Sequence, residues 1–419
     1  MTAETRSSPP TRTLYGWLRL FSSPVGAAAV TSLLALIASA LMYRILPKAD
    51  AGAFALLTAF VQTVLILGGL GQSTLTQRVY SRAEPGAFNW RADLDRQLLF
   101  ILPVSVLISL LIAHLYQLPP WEMLFVLTGA LLWNQIVTSG SILAANQRYA
   151  WASTLPRLPN GLLIIPAALI ALVPVLATLD AALAGLLGAA LASLALSWFA
   201  LRRLKMTGDR TISLRQRGYG LVFLANQTAT LVPDYLLLAA AGLVAPPEDL
   251  ALYGALMLLF RPTQLLQNVL AQVLTTELAR AQRPRLGRIL LAFAAAAALI
   301  IVGGILLAGP ATQLAYAGRY APGWTLIALV SLASGLDVLE TLPRSYLVGR
   351  ASRRVLGYFG ISQLAIAVIG LLIGLALVHE WGIEGAALGA VLIFIARNTV
   401  SFAGFAATRL QERPRSAAQ

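Results

Sequence analysis

The chain of 419 residues is 58% hydrophobic and only 11% charged, with a mean hydropathy of +0.76. Soluble proteins carry roughly 25% charged residues, so a soluble fold is excluded and an all-α polytopic membrane protein is expected. With no cysteine, disulfides and thiolate metal sites are excluded as well, and two histidines, His114 and His379, leave almost no material for a histidine metal centre.

The net charge of +14 would suit nucleic acid or an anionic membrane surface. The basic residues sit in short loops between apolar runs, which favours the membrane and leaves no nucleic-acid partner. Residues 1–20 are polar and basic and lack a small-residue cleavage site, so they read as a cytoplasmic tail and not a signal peptide. Twelve apolar runs of spanning length follow, near 21–43, 51–71, 97–116, 121–144, 158–178, 182–201, 218–243, 250–272, 288–309, 323–347, 355–378 and 384–407. Placing the N-terminus in the cytoplasm puts most of the 31 lysines and arginines on the cytoplasmic side. Both termini are therefore expected inside.

The longest inner loop, 202–217, divides the chain into an N-lobe (21–201) and a C-lobe (218–408), with a tail at 409–419. The halves repeat in parallel. Asp50–Arg78 aligns with Asp249–Glu277, so that Phe54 falls on Tyr253 and Gln62 on Arg261; AGLLGAALASL (184–194) likewise resembles EGAALGAVLIF (384–394). An even number of helices per half relates the lobes by an axis along the membrane normal, with a central cavity between them. Pro156, Pro159, Pro166 and Pro174 cluster around the fifth span, which is expected to bend about that cavity.

Arg261 stands about halfway along the eighth span, next to Pro262. At ~1.5 Å per residue it lies roughly 18 Å from Asp249, near the middle of a ~30 Å hydrocarbon layer. A cation there costs about 2.5–3.5 kcal/mol on insertion scales, so it must face protein, water or an anionic ligand. The C-terminal spans also hold Asp234, Asp337, Glu340, Arg344 and Arg397. Asp337, Glu340 and Arg344 share one helix face. Two readings stand: an internal charge network that locks the helices, or a hydrophilic cavity in which Arg261 and Arg397 hold an anionic group. The N-terminal spans carry milder polar groups, Gln62, Asn134, Gln135, Thr138 and Ser139, whose amides and hydroxyls suit a sugar or bond between helices. Arg78 and Arg82 lie at the cytoplasmic mouth, where they would collect a head group or simply satisfy the positive-inside rule. No nucleotide-binding, nucleophile or metal motif is present, so no cofactor, no metal and no enzyme activity are expected. The loops are too short for a membrane-embedded glycosyltransferase or polymerase.

GGLGQSTLTQR (68–78), VPDYLLL (232–238), LVGR (347–350) and WGIEGAALG (381–389) resemble the polysaccharide transporters, the O-antigen and exopolysaccharide flippases of the multidrug/oligosaccharidyl-lipid/polysaccharide (MOP) superfamily. That resemblance implies movement of undecaprenyl-diphosphate-linked oligosaccharide across the bacterial inner membrane. It implies membrane lipids, a coupling ion (H+ or Na+) and polysaccharide polymerase or export machinery as partners. The rival reading is a MATE-like drug/cation antiporter, which generally needs an acidic residue in the cavity. Tyr235 stands where the flippases are often basic.

Overall fold

The computed structural model describes residues 14–84, 86–204, 208–280 and 286–412. The start of the expected N-terminal tail, linker residues 205–207, Arg283, Arg285 and the C-terminal tail from 413 lie outside the described residues. Among the described residues there is no strand, and one isolated parallel bridge joins Phe88 to Arg210.

The helices, in chain order, are α1 (Leu14–Ile45), α2 (residues 48–82), α3 (Trp90–Tyr116), α4 (Pro120–Ala145), α5 (Tyr149–Leu172) and α6 (Leu179–Arg202). The second half follows with α7 (residues 214–241), α8 (Pro247–Arg280), α9 (Gly287–Ala315), α10 (Trp324–Arg350), α11 (residues 353–381) and α12 (residues 383–412). Among the described residues eight stretches are apolar and long enough to cross a membrane, and the last of these is α11 and α12 joined at Gly382. The bent α7 makes a ninth if its two parts are one span, and α1 contributes a shorter apolar segment, Ala29–Ile45. The protein is an all-α, multi-pass membrane protein.

Local chemistry sets the breaks. Asn89 caps α3 by accepting from the Ala92 amide, Thr178 caps α6, and Ser213 with Gln216 forms a capping box at the start of α7. α2 is interrupted at Gly71, whose φ of 66° a residue with a Cβ adopts at a cost. A Cβ there would also strike the Gly220 carbonyl, so glycine lets α2 touch the start of α7. α5 breaks into a 3-10 turn at Leu155–Arg157, and the Pro156 carbonyl accepts from the Trp133 indole. The prolines thus coincide with an interruption of the α-helical ladder inside one span. Pro233 sits in a π-helical turn, Val232–Leu236, inside α7.

Each half has its own core. Phe60, Trp133 and Leu183 belong to the first; Phe260, Val330 and Phe394 belong to the second. Exchange between the cores occurs along α2 and α8. Ala251, Ala255 and Leu258 enter the first core, and Ala59 enters the second. Bilayer hydrocarbon gives helices no hydrophobic reason to associate, so close approach at small residues matters. A Cβ on Gly389 would lie 3.2 Å from the Gly374 Cα, where α11 and α12 pack. The outer surface, including Leu299, Leu306 and Leu307 of α9, is exposed and apolar, as contact with lipid requires.

A cationic cavity between the lobes

A cavity of about 380 Å³ lies between the lobes, walled by α1, α2, α4, α5, α6, α7, α8 and α10. Gln62 of α2 and Arg261 of α8, counterparts in the repeat, both line it. So do Arg157, Asn160, Gln264 and Arg344. Among the described residues none of those lining it is a carboxylate. Arg261 is half-buried, and among the described residues it has no hydrogen-bond or ion-pair partner. A small side cavity joins it to Asp234, Tyr235 and Tyr43.

The acidic residues sit behind this wall, in the C-lobe. Arg397 is wholly buried and pairs with Glu340 at 2.6 Å; Glu340 also accepts from the Ser401 hydroxyl at 2.8 Å. Arg397 therefore ties α12 to α10, away from the cavity. The sequence expectation that it holds substrate beside Arg261 is corrected by this pairing. Asp234 and Asp337 border a separate, much smaller gap with Gln264, and Asp337 accepts a hydrogen bond from Gln267. Arg344 is the bridge between the two regions, because it lines the cavity and feels the charges of Asp337, Glu340 and Asp234. The two sequence readings thus divide by residue: Arg261 faces the cavity, while Glu340 and Arg397 lock helices.

The neutral polar residues divide in the same way. Gln62 lines the cavity. Gln97 of α3 donates to Asn134 and Thr138, each at 2.7 Å, and Gln135 donates to the Leu94 carbonyl. Asn134, Gln135 and Thr138 therefore bond α4 to α3 and do not face a sugar. Buried amides in hydrocarbon must find partners, and here the neighbouring helix supplies them. Ser141, one turn beyond Thr138 on α4, does reach the cavity, as does Trp133.

The lobes meet above and below the cavity through one chemical device. At the inner end, defined by the N-terminus of α1, Arg78 donates to the carbonyls of Val348 (2.7 Å) and Ala351 (3.4 Å), and Arg82 donates to that of Gly349 (3.2 Å). These carbonyls close α10, and the last carbonyls of a helix lack intrahelical partners and carry its negative dipole end. At the outer end Arg319 donates to the carbonyls of Tyr43 (3.2 Å) and Arg44 (2.8 Å), which close α1. The rings of Tyr43, Tyr316 and Tyr320 pack beside it. Arg78 and Arg82 therefore act as a latch between lobes in this conformation.

Two further charged residues escaped the sequence reading. Arg157 reads as a loop cation, yet it is 4% exposed within α5, bonds the Ser153 carbonyl and lines the cavity. The signal was present in the proline cluster that surrounds it. Asp93 is 3% exposed and binds Arg217 (3.0 Å), the Tyr80 hydroxyl (2.7 Å) and the Ile212 amide (2.8 Å), fastening the linker to α2 and α3. Nothing in the sequence spacing marks that hub.

No family model matches the chain, and no curated protein matches it by sequence. Solved structures do match. A multidrug resistance MATE family transporter of the MOP superfamily in an outward-facing conformation is 15% identical over 96% of this chain and 99% of that one, with a TM-score of 0.60. An inward-facing conformation of such a transporter gives 0.54 at 14% identity, over 92% and 95%. A MOP superfamily transporter from Pyrococcus furiosus, whose binding pocket of reverse polarity suggests a different function, gives 0.53 at 15% identity, over 96% and 99%. At these identities the likeness shows the fold.

Proposed function

We propose that the protein is an alternating-access transporter of an anionic amphiphile, and that its substrate is a lipid-diphosphate-linked oligosaccharide carried across the bacterial inner membrane. The observation that carries this reading is the polarity of the central cavity: among the described residues Arg157, Arg261 and Arg344 line it and no carboxylate does. Guanidinium groups stay charged in a low-dielectric wall and engage phosphate oxygens in a bidentate way. Arg261 is the principal contact in this reading, since it faces the cavity with no hydrogen-bond or ion-pair partner among the described residues. Arg344 assists, and Gln62, Asn160 and Gln264 offer donors and acceptors to sugar hydroxyls. The lipid tail stays in the bilayer between the lobes. Ligand pockets span ~300–1,000 Å³, and a cavity of about 380 Å³ is at the small end of that range. Several sugars with a diphosphate need the lobes to separate further than they do here.

Drug/cation antiport is the second reading, and the structural neighbours include multidrug transporters. The observation in its favour is Asp234, which reaches the side cavity beside Arg261. An organic cation in the main cavity would nevertheless face three arginines, at a like-charge cost that no carboxylate there offsets. The test is binding by the purified protein of undecaprenyl diphosphate and of a quaternary ammonium compound. Tight binding of the diphosphate, lost in Arg261→Ala, supports the flippase reading. Saturable binding of the cation with none of the diphosphate replaces it by the antiporter.

A further inference from the structure

A second pocket, of about 240 Å³, lies at the inner end between the end of α2 and the starts of α7 and α11. It shares no lining residue with the central cavity. On α2, Ser73, Thr74 and Gln77 face the cavity, whereas Leu75, Arg78, Val79 and Arg82 face this pocket. Its floor is apolar, with Val222, Phe223 and Leu356 contributed from across the lobe boundary. The neighbouring helix surfaces carry exposed Leu221, Tyr358 and Ile361, so the surroundings are apolar too.

An apolar floor with a cationic edge is the complement of an amphiphile that has a fatty chain and an anionic head. A small soluble anion would leave Phe223 and Leu356 uncovered, and a zwitterionic lipid would bring its own cation to the arginines. The same arginines hold the inner end shut by bonding neutral carbonyls of α10. Arg82 is exposed and uses a single N–H in that contact. A phosphate offers these guanidiniums a formal negative charge and a bidentate geometry that a single neutral carbonyl lacks, so it competes well for these donors.

We propose that this pocket binds an anionic phospholipid of the surrounding bilayer, with an acyl chain against Val79, Phe223 and Leu356 and the phosphate on Arg82 and Arg78. Its arrival draws the arginines from the end of α10 and loosens the inner closure. This site does not depend on what the central cavity carries.

The test uses the full-length protein in nanodiscs and native mass spectrometry with phosphatidylglycerol and phosphatidylcholine. The wild-type chain is expected to retain phosphatidylglycerol at least tenfold over phosphatidylcholine. Arg78→Gln with Arg82→Gln removes the preference, and Val222→Trp, which fills the pocket with the arginines intact, removes retention. Millimolar inorganic phosphate leaves the retained lipid in place. In a Gln77→Cys/Thr276→Cys chain, disulfide formation between α2 and α8 at the inner end is expected to slow several-fold when phosphatidylglycerol replaces phosphatidylcholine. Equal retention of the two lipids, retention unchanged in both variants, or displacement by inorganic phosphate overturns the lipid site. An unchanged disulfide rate overturns the release of the latch.

Discussion

Gln77 donates a hydrogen bond to Thr276 across the lobes at 3.1 Å, and the two residues stand 199 positions apart. That separation is the offset that lays Asp50–Arg78 on Asp249–Glu277, so the bond joins a residue to its own counterpart. Ala55 and Gly254 form another such pair: a Cβ built on Gly254 would lie 3.2 Å from that of Ala55. Contacts between counterparts fall on the rotation axis that relates the halves. The axis therefore runs between α2 and α8, with one contact toward each end and Gln62 and Arg261 flanking it in the cavity.

The first prediction uses that geometry. Rocking of two lobes requires α2 and α8 to part at the inner end when the cavity opens there. A Gln77→Cys/Thr276→Cys chain, oxidised to a disulfide, is expected to lose transport and to regain it on reduction. The natural chain has no cysteine, so the crosslink is unambiguous. Transport that continues at the wild-type rate with the disulfide fully formed would rule out opening between these helices.

Substrate contact is tested at Arg261. It makes no hydrogen bond or ion pair among the described residues, and Asp234, which feels its charge across the side cavity, keeps Arg344 and Arg397 as nearby cations when Arg261 is removed. Arg261→Ala is expected to insert and fold at normal levels. Hydrogen bonds to charged groups contribute about 1.5–3 kcal/mol, so its Kd for an undecaprenyl diphosphate should rise roughly 10- to 100-fold. Arg261→Lys keeps the charge and loses the bidentate fork, and an intermediate Kd is expected. Calorimetry or a filter-binding assay on purified protein reads both. Normal affinity in Arg261→Ala removes Arg261 from the site.

The opposite behaviour is expected at the pair behind the wall. Glu340 and Arg397 are 1% and 0% exposed at a separation of 2.6 Å. Removing one partner of a buried pair costs about 3–5 kcal/mol, while replacing both by apolar residues is often close to neutral. Arg397→Ala should lower the melting temperature strongly, and Arg397→Met with Glu340→Leu should recover most of the loss. Unfolding followed by intrinsic fluorescence in detergent measures this. A double variant as unstable as the single one would mean that the charges do more than hold α10 to α12.

These contrasts show which information the sequence carried. The all-α membrane class and the paired positions of Gln62 and Arg261 were legible because they follow from hydropathy and from an internal repeat, both linear properties. GGLGQSTLTQR and LVGR, two of the stretches that carried the family resemblance, prove to be in contact through Arg78 and Val348. The residues that were misplaced, Asn134, Gln135, Thr138 and Arg397, share one reason. A polar group on a spanning helix faces either a cavity or a neighbouring helix, and rotation about the helix axis decides which. That rotation is set by packing against α3 and α10, which no local pattern records. Arg157 erred in the other direction, because a broken helix reads as a loop when its prolines mask the helical period.

The last prediction exchanges the two counterparts on either side of the axis. Gln62 and Arg261 line the same cavity from opposite lobes, so Gln62→Arg with Arg261→Gln moves one cation across it and leaves the cavity's total charge unchanged. If phosphate capture depends on the summed field of the wall, the exchanged protein keeps much of the wild-type affinity, because Arg157 and Arg344 still complete a three-arginine lining. If it depends on a fixed bidentate geometry at α8, affinity falls as far as in Arg261→Gln alone. The neighbourhoods favour the second outcome. Arg261 stands among Tyr43, Tyr235 and Gln264, where polar side chains can orient it, and it adjoins Pro262 within α8. Gln62 lies one residue from buried Val61 and Thr63, and the Thr63 hydroxyl is already committed to the Ala59 carbonyl. Binding of undecaprenyl diphosphate to the single, the exchanged and the wild-type proteins decides it. An exchanged protein that binds within about twofold of the wild type would show that position along the axis, and not the lobe that supplies the arginine, is what the substrate reads.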